Sequence, residues 1–476
     1  MKSRFVTSRY NFQVPVEDGV LLYSAKTGAV LHFTGVDAGR LARNLCLGPH
    51  TISKNSFPPE TFQQLRQGGF VISRNTNELQ IIRRRFERAR NDTPIVLTLT
   101  TTMDCNLGCY YCYEERSPDR LQIQDTEQIV EIARERVRRS GKRAIHIDWY
   151  GGEPLMNIDF IEAASKALQA FCREAGIAYA SSVISNGTCW PNDVGAFIKR
   201  HRILQVQISF DGLRKNHNRR RRFRRDYRPE DGASSFDIAV ELVDKLLYHT
   251  HVDLRLNVDR ENQQDVVPFI EFARARGWFE RPFPAVLQPA RLSSYSEHSS
   301  FMRSSELSLE EYDEIRAIVR AEVRGEAHVE ESETPDGFPY PKTSVCAALA
   351  NDSVVVGADR RYYRCGLQAA EPHRSVGRLQ ASIRRQLPVI NADAGQMKSD
   401  EKWWQQFDPT TLPSCSRCSF LPICWGGCPK KHLEQDSHAI HEQSVFWRHN
   451  LPRLVAAGVG ATPQTGFVFT EADQFR

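Results

Sequence analysis

Six strand-like runs, each leading into a helical stretch or a loop, fill the middle of this chain and restrict its fold more than any other feature. They are PIVLTLTTT (94–102), AIHIDWY (144–150), YASSVIS (179–185), LQVQISF (204–210), VDLRLNV (252–258) and PAVLQPA (284–290). Amphipathic helical stretches at 125–139, 157–174, 191–200, 235–248 and 262–276 separate them. Strand-then-helix units in series build a parallel sheet with helices outside it, because a parallel crossover needs a long connection. Six units fall short of the eight that close a barrel. The expected fold is therefore α/β, an open, partial (β/α)6 TIM-type barrel over residues 91–325. Its working residues belong at the C-terminal ends of the strands.

Cysteine placement is the second constraint. Of 12 cysteines, nine fall into three neighbourhoods, and Cys46, Cys172 and Cys189 are scattered. The start, MKSRFVTSRYNF, lacks the apolar core of a secretion signal, and no apolar run approaches a membrane span. A soluble, cytoplasmic protein is expected, where clustered thiols serve metals rather than disulfides. The 41% hydrophobic and 25% charged content excludes a mainly disordered chain, and a net charge of +5 is too small to imply nucleic-acid binding. Directly after the first strand comes Cys105-Asn-Leu-Gly-Cys109-Tyr-Tyr-Cys112. Three thiolates at this spacing fit one iron–sulfur cube, leaving its fourth corner open for a substrate. The plainer alternative is a zinc loop that borrows a fourth ligand such as His146.

These residues resemble the radical S-adenosylmethionine (radical SAM) superfamily, whose CxxxCxxC loop follows the first barrel strand. The resemblance implies a [4Fe-4S] cluster on Cys105, Cys109 and Cys112 with S-adenosyl-L-methionine on its open iron. Further motifs keep the family's order. Gly151-Gly152-Glu153-Pro154 resembles the loop that holds the SAM amino group, and a carboxylate such as Glu153 can accept hydrogen bonds from an ammonium. Asn186 in Ser185-Asn186-Gly187-Thr188, Ser209 in Ser209-Phe210-Asp211-Gly212, Arg221 in His217-Asn218-Arg219-Arg220-Arg221 and Leu256 in Arg255-Leu256-Asn257-Val258 complete the implied cofactor-binding set. Tyr111 is expected to pack against the adenine. Arg214 to Arg228 holds nine basic residues, read as a solvated loop carrying one functional arginine, with possible attraction for an acidic peptide.

Residues 1–90 read as a separate α+β module. Its hairpins turn at Asp18-Gly19 and Thr27-Gly28, and its helices lie near 37–47, 59–67 and 78–90. The outline is winged-helix-like, a peptide-recognition module; a plain structural cap is the alternative. The acidic, proline-rich stretch 326–343 reads as a linker or exposed loop, and 450–476 as a tail. Between them, 344–449 is cysteine-rich with little periodicity, as expected of a segment folded around metal. Cys415-x2-Cys418-x5-Cys424-x3-Cys428 resembles the SPASM motif of radical SAM peptide-modifying enzymes, with Cys346 and Cys365 as its earlier pair. The resemblance implies one or two auxiliary [4Fe-4S] clusters, Cys346, Cys365 and Cys428 serving one and Cys415, Cys418 and Cys424 the other. Two departures stand out: Arg360 occupies the family's glycine position, and no cysteine follows Cys428. His441, His438 or His432 could replace the missing thiolate, since imidazole can ligate cluster iron; a four-cysteine zinc site is the alternative.

The function so implied is a radical SAM/SPASM maturase that makes a 5′-deoxyadenosyl radical and oxidatively modifies, for example crosslinks, a ribosomally made precursor peptide. Its partners would be that peptide, through a leader segment, and an electron donor such as flavodoxin or ferredoxin; a membrane and nucleic acid are not expected. An anaerobic sulfatase maturase making formylglycine is the alternative enzyme, and a noncatalytic zinc or peptide-binding scaffold the alternative of another class. The arginine-rich stretch alone would suggest tRNA modification. No catalytic acid or base is legible.

Overall fold

The computed structural model describes residues 5–294, 299–324, 337–369, 371–379 and 396–475. The chain divides into two compact units. The first comprises 1–92, 329–345 and 406–476, and the second comprises 93–328 and 346–405.

Six strands in the first unit form two antiparallel sheets: β1 (Phe5–Thr7), β2 (Asn11–Val16), β3 (Gly19–Ser24), β4 (Val30–Phe33), β5 (Thr51–Ile52) and β6 (Val71–Ser73). One sheet is ordered β2-β3-β4 and the other β5-β1-β6. Gly19 makes the first hairpin possible: its φ is +147°, and a Cβ there would lie 2.2 Å from the Phe33 carbonyl oxygen. Helix Glu78–Asp92 ends the segment, while helices Ala38–Cys46 and Pro59–Gln67 pack on the strands, Pro59 sitting in a first turn where its missing N–H costs nothing. Leu22, Leu45, Phe62, Leu65 and Phe70 form their shared core.

The chain's far end completes this unit. Phe12 meets Phe420 and Phe469 with ring centroids 4.7 and 5.1 Å away. Val16 bridges to Pro463 beside the outer edge of β2. The stretch read from sequence as a tail, 450–476, begins inside the helix Ser437–Ala457, and its Pro463 and Phe469 supply two of these contacts. From the expected linker, most of 326–343 lies outside the described residues; within its described part Phe338 packs edge-on against Tyr23.

The second unit is the expected parallel sheet. Its strands are β7 (Ile95–Thr102), β8 (Ala144–Gly151), β9 (Ala178–Ser185), β10 (Ile203–Phe210), β11 (His251–Val258) and β12 (Val286–Arg291), paired in sequence order. Alternate residues such as Ile145, Ile147 and Trp149 are buried, while His146, Asp148 and Tyr150 between them are only partly covered. Three short strands extend the β7 side: β13 (Val354–Val356) runs parallel to β7, followed by the antiparallel β14 (Arg361–Tyr363) and β15 (Gly377–Arg378). Among the described residues, no helix is long and apolar enough to cross a membrane.

Candidate active site

The C-terminal ends of β7 to β11 gather most of the expected site residues. Cys105, Cys109 and Cys112 lie on the loop after β7. The Asn186 amide nitrogen stands 3.6 Å from Cys105 Sγ, and Leu107 N–H donates to the same sulfur at 3.4 Å. Burial pushes all three thiols up, Cys112 to about 12, so iron uptake must displace their protons. Among the described residues, no three His, Cys, Asp or Glu side chains converge on one ion-sized point.

The loop after β8 shows why its glycines are needed. Gly152 N–H donates to Thr102 O and Glu153 N–H to Asp104 O, each at 3.0 Å. A Cβ on Gly151 or Gly152 would lie 2.3 or 2.4 Å from the Thr102 or Asp104 carbonyl oxygen. Glu153 is thereby held fully buried beside the cysteine loop. Its carboxylate accepts from Ser185 Oγ at 3.0 and 3.1 Å, Asn186 N–H at 2.7 Å and Leu155 N–H at 3.2 Å. Burial outweighs these bonds and raises the group to about 7. Pro154 contributes its carbonyl, which accepts from Thr101 at 2.9 Å.

Arg221 donates to the Tyr111 hydroxyl at 2.8 Å, and that hydroxyl donates to Asp211 at 2.8 Å. The Arg221 Nε–H is buried with no partner, an open donor close to Cys109. Tyr111 has its ring against Cys109, Leu292 and Met302. Ser209 and Leu256 do not join this network: Ser209 pairs in register with Arg255, and the Leu256 side chain is buried.

The arginine-rich stretch is only partly the solvated loop expected: Arg214, Lys215, Arg219, Arg222, Arg225 and Arg228 are exposed, but Arg220 and Arg221 are buried. Gly108 N–H donates to Arg222 O at 2.8 Å and Arg224 N–H to Asn106 O at 2.9 Å, so its end braces the cysteine loop. Arg220 is fully buried, bonded to Asp211 at 3.0 Å and to Asp259 at 2.7 Å. Burial works against the Asp211 carboxylate, but Arg221 and Arg220 hold it below the usual range. His217 is a core residue between Phe210 and Phe236, lowered to about 3 by burial.

Sequence reasoning also missed the polar face inside the sheet. Asp148 accepts from Ser182 at 2.5 Å and from Thr98 at 3.3 Å, with His146 at 3.2 Å. The signal was present, since the strict alternation His146, Asp148, Tyr150 within AIHIDWY marks one strand face.

The remaining cysteines belong to different units. Cys346 and Cys365 are in the second, where buried Arg364 donates to Ala348 O and Ala350 O at 3.0 and 2.7 Å and so ties their two segments together. In the first unit, Cys415, Cys418 and Cys424 line a cavity of about 370 Å³ together with His441, Trp447 and Gln474. Cys428 is exposed, lies outside that lining and precedes the helix Pro429–Leu433. Trp425, Gly426 and Gly427 all have positive φ, which turns the Gly426 and Gly427 N–H groups toward Cys424 as an anion-binding nest. The buried Trp447 Nε1–H faces the same sulfur.

Residues 99–273 match the Radical SAM superfamily model. The serine-type anaerobic sulfatase-maturating enzyme of Klebsiella aerogenes is 27% identical over 351 residues, spanning 68% of this chain and 77% of that protein. The mycofactocin maturase MftC of Mycolicibacterium smegmatis is 29% identical over 198 residues, 40% of this chain and 44% of that one. The solved structure of native anSMEcpe with bound AdoMet and Cp18Cys peptide shares the fold, with a TM-score of 0.53, 17% identity, and coverage of 77% of this chain and 99% of that one.

Proposed function

With residues 99–273 a radical SAM domain as the premise, we propose that the chain is a peptide maturase that oxidatively modifies residues of a ribosomally made precursor. Cys105, Cys109 and Cys112 hold the catalytic cluster. When bound, that cluster supplies the electron that cleaves S-adenosylmethionine and yields the 5′-deoxyadenosyl radical. Buried Glu153 carries the argument: a carboxylate that forms no ion pair among the described residues, set beside the cysteine loop, is suited to receive the cofactor's ammonium. Arg221, with an unpaired donor near Cys109, provides the matching site for a carboxylate. Asn186 orients Cys105. Tyr111 and Ser209, with Leu256 behind the sheet, shape the remaining wall.

The cavity at Cys415, Cys418 and Cys424 fits an auxiliary [4Fe-4S] cluster, because the Gly426, Gly427 and Trp447 N–H groups face the Cys424 sulfur and would steady it as a thiolate ligand. Cys346 and Cys365, and separately Cys428, remain proposed cluster ligands. The winged-helix-like strands and helices of residues 5–92 are the proposed leader-binding element, where a peptide adds to a sheet edge. A flavodoxin or ferredoxin is the proposed reductant.

Likeness to the Klebsiella enzyme favours formylglycine formation as a second reading. Coexpression with any short reading frame found beside its gene, and separately with a sulfatase, decides between them. A crosslinked precursor lighter by two hydrogens and free of aldehyde supports the peptide maturase. Conversion only of a sulfatase serine or cysteine to an aldehyde supports the other.

A further inference from the structure

We infer that His441 is an iron ligand, completing a cluster whose other ligands are Cys415, Cys418 and Cys424. The inference rests on the auxiliary-cluster reading above and identifies the fourth donor. Three thiols facing one cavity leave one corner of a cube to fill, and the sequence holds no cysteine after Cys428. Cys428 itself is exposed and outside the lining.

The cavity wall selects among the possible donors. Helix Ser437–Ala457 lines it with Ser437, Ile440, His441, Ser444 and Trp447, the three- and four-residue spacing of a single helix face. On that face His441 lines the cavity and is exposed, with no partner among the described residues. Of the other polar groups in the lining, Ser437 and Gln443 offer only neutral oxygen or amide donors, which bind iron less readily than imidazole, and Ser444, Gln474 and Glu471 are engaged. The Gln474 carbonyl accepts from Ser444 at 2.7 Å, and Glu471 lies 3.7 Å from Arg448. Of the other two histidines that follow the motif closely, the His432 ring nitrogen meets Gly426 O at 2.7 Å, and His438 lies outside the lining. Imidazole is a good iron ligand, and a neutral ring in place of a thiolate makes the cluster less negative, which raises its potential.

The test uses the full-length chain, reconstituted anaerobically with iron and sulfide, carrying Cys105→Ala, Cys109→Ala and Cys112→Ala to silence the first site. Hyperfine spectroscopy of the reduced protein grown on isotope-labelled histidine should show a histidine nitrogen coupled to the cluster. The coupling should vanish in His441→Ala and in Cys418→Ala, and His441→Cys should lower the midpoint potential. Iron that falls on Cys418→Ala but never shows histidine coupling overturns the ligand while the auxiliary cluster stands. Iron that is absent, or unchanged by Cys418→Ala, overturns the cluster and the ligand together.

Discussion

At the residue scale, the site depends on charges taken out of water and paired there. Glu153 has a carboxyl raised to about 7 by burial, and its anion is the form that binds an ammonium. Below that pH the site must first lose a proton. Calorimetric affinity for S-adenosylmethionine is therefore expected to fall, approaching tenfold per pH unit, as pH drops below about 7. Glu153→Gln should bind weakly with no such step. Arg220 makes the complementary case, since its fully buried guanidinium answers both Asp211 and Asp259. Arg220→Met leaves two buried acids short of a partner and should cost about 3–5 kcal/mol in a urea transition. Adding Asp259→Asn should cost less than the sum of the single changes, because the two residues share one network.

At the element scale, local pattern and local structure agree wherever a segment's partners are its chain neighbours. The runs read at 144–150 and 252–258 are β8 (Ala144–Gly151) and β11 (His251–Val258), since alternation and turn residues suffice to mark a strand. β13 escaped notice because three valines gain their meaning only from pairing with β7, more than 250 residues earlier. The arginine-rich stretch misled for the opposite reason. A run of like charge reads as solvated, yet acids from distant strand ends, Asp211 and Asp259, bury part of it. Arg360 joins both lessons. It has a φ of +65°, a conformation that favours glycine, while its guanidinium reaches fully buried Asp125 at 2.7 Å. Left-handed backbone costs a non-glycine residue about 1–2 kcal/mol, and an unpaired buried acid costs more. Arg360→Gly should thus be net destabilising by about 1 kcal/mol in thermal melts, and adding Asp125→Asn should restore or exceed the original stability.

At the scale of the whole molecule, the first unit is made from both ends of the chain. The sequence reading separated 1–90 from the cysteine-rich region because no local signal shows that Phe12 packs on Phe420 and Phe469, or Phe86 on Trp425. Deleting residues 1–92 would strip those rings from residues 406–476. The expected outcome is a C-terminal segment open to proteolysis, with the cavity at Cys415, Cys418 and Cys424 unable to retain iron. A truncated chain whose C-terminal segment resists protease would contradict that shared core. Leader recognition is accordingly better probed by exposed substitutions on β4 than by truncation.

The most direct test of the central claim is product analysis of anaerobically reconstituted protein given S-adenosylmethionine and a strong reductant. The account predicts release of 5′-deoxyadenosine, abolished by Cys109→Ala. Protein that carries a full complement of iron and sulfide yet releases none, or a Cys109→Ala variant that still does, would contradict it.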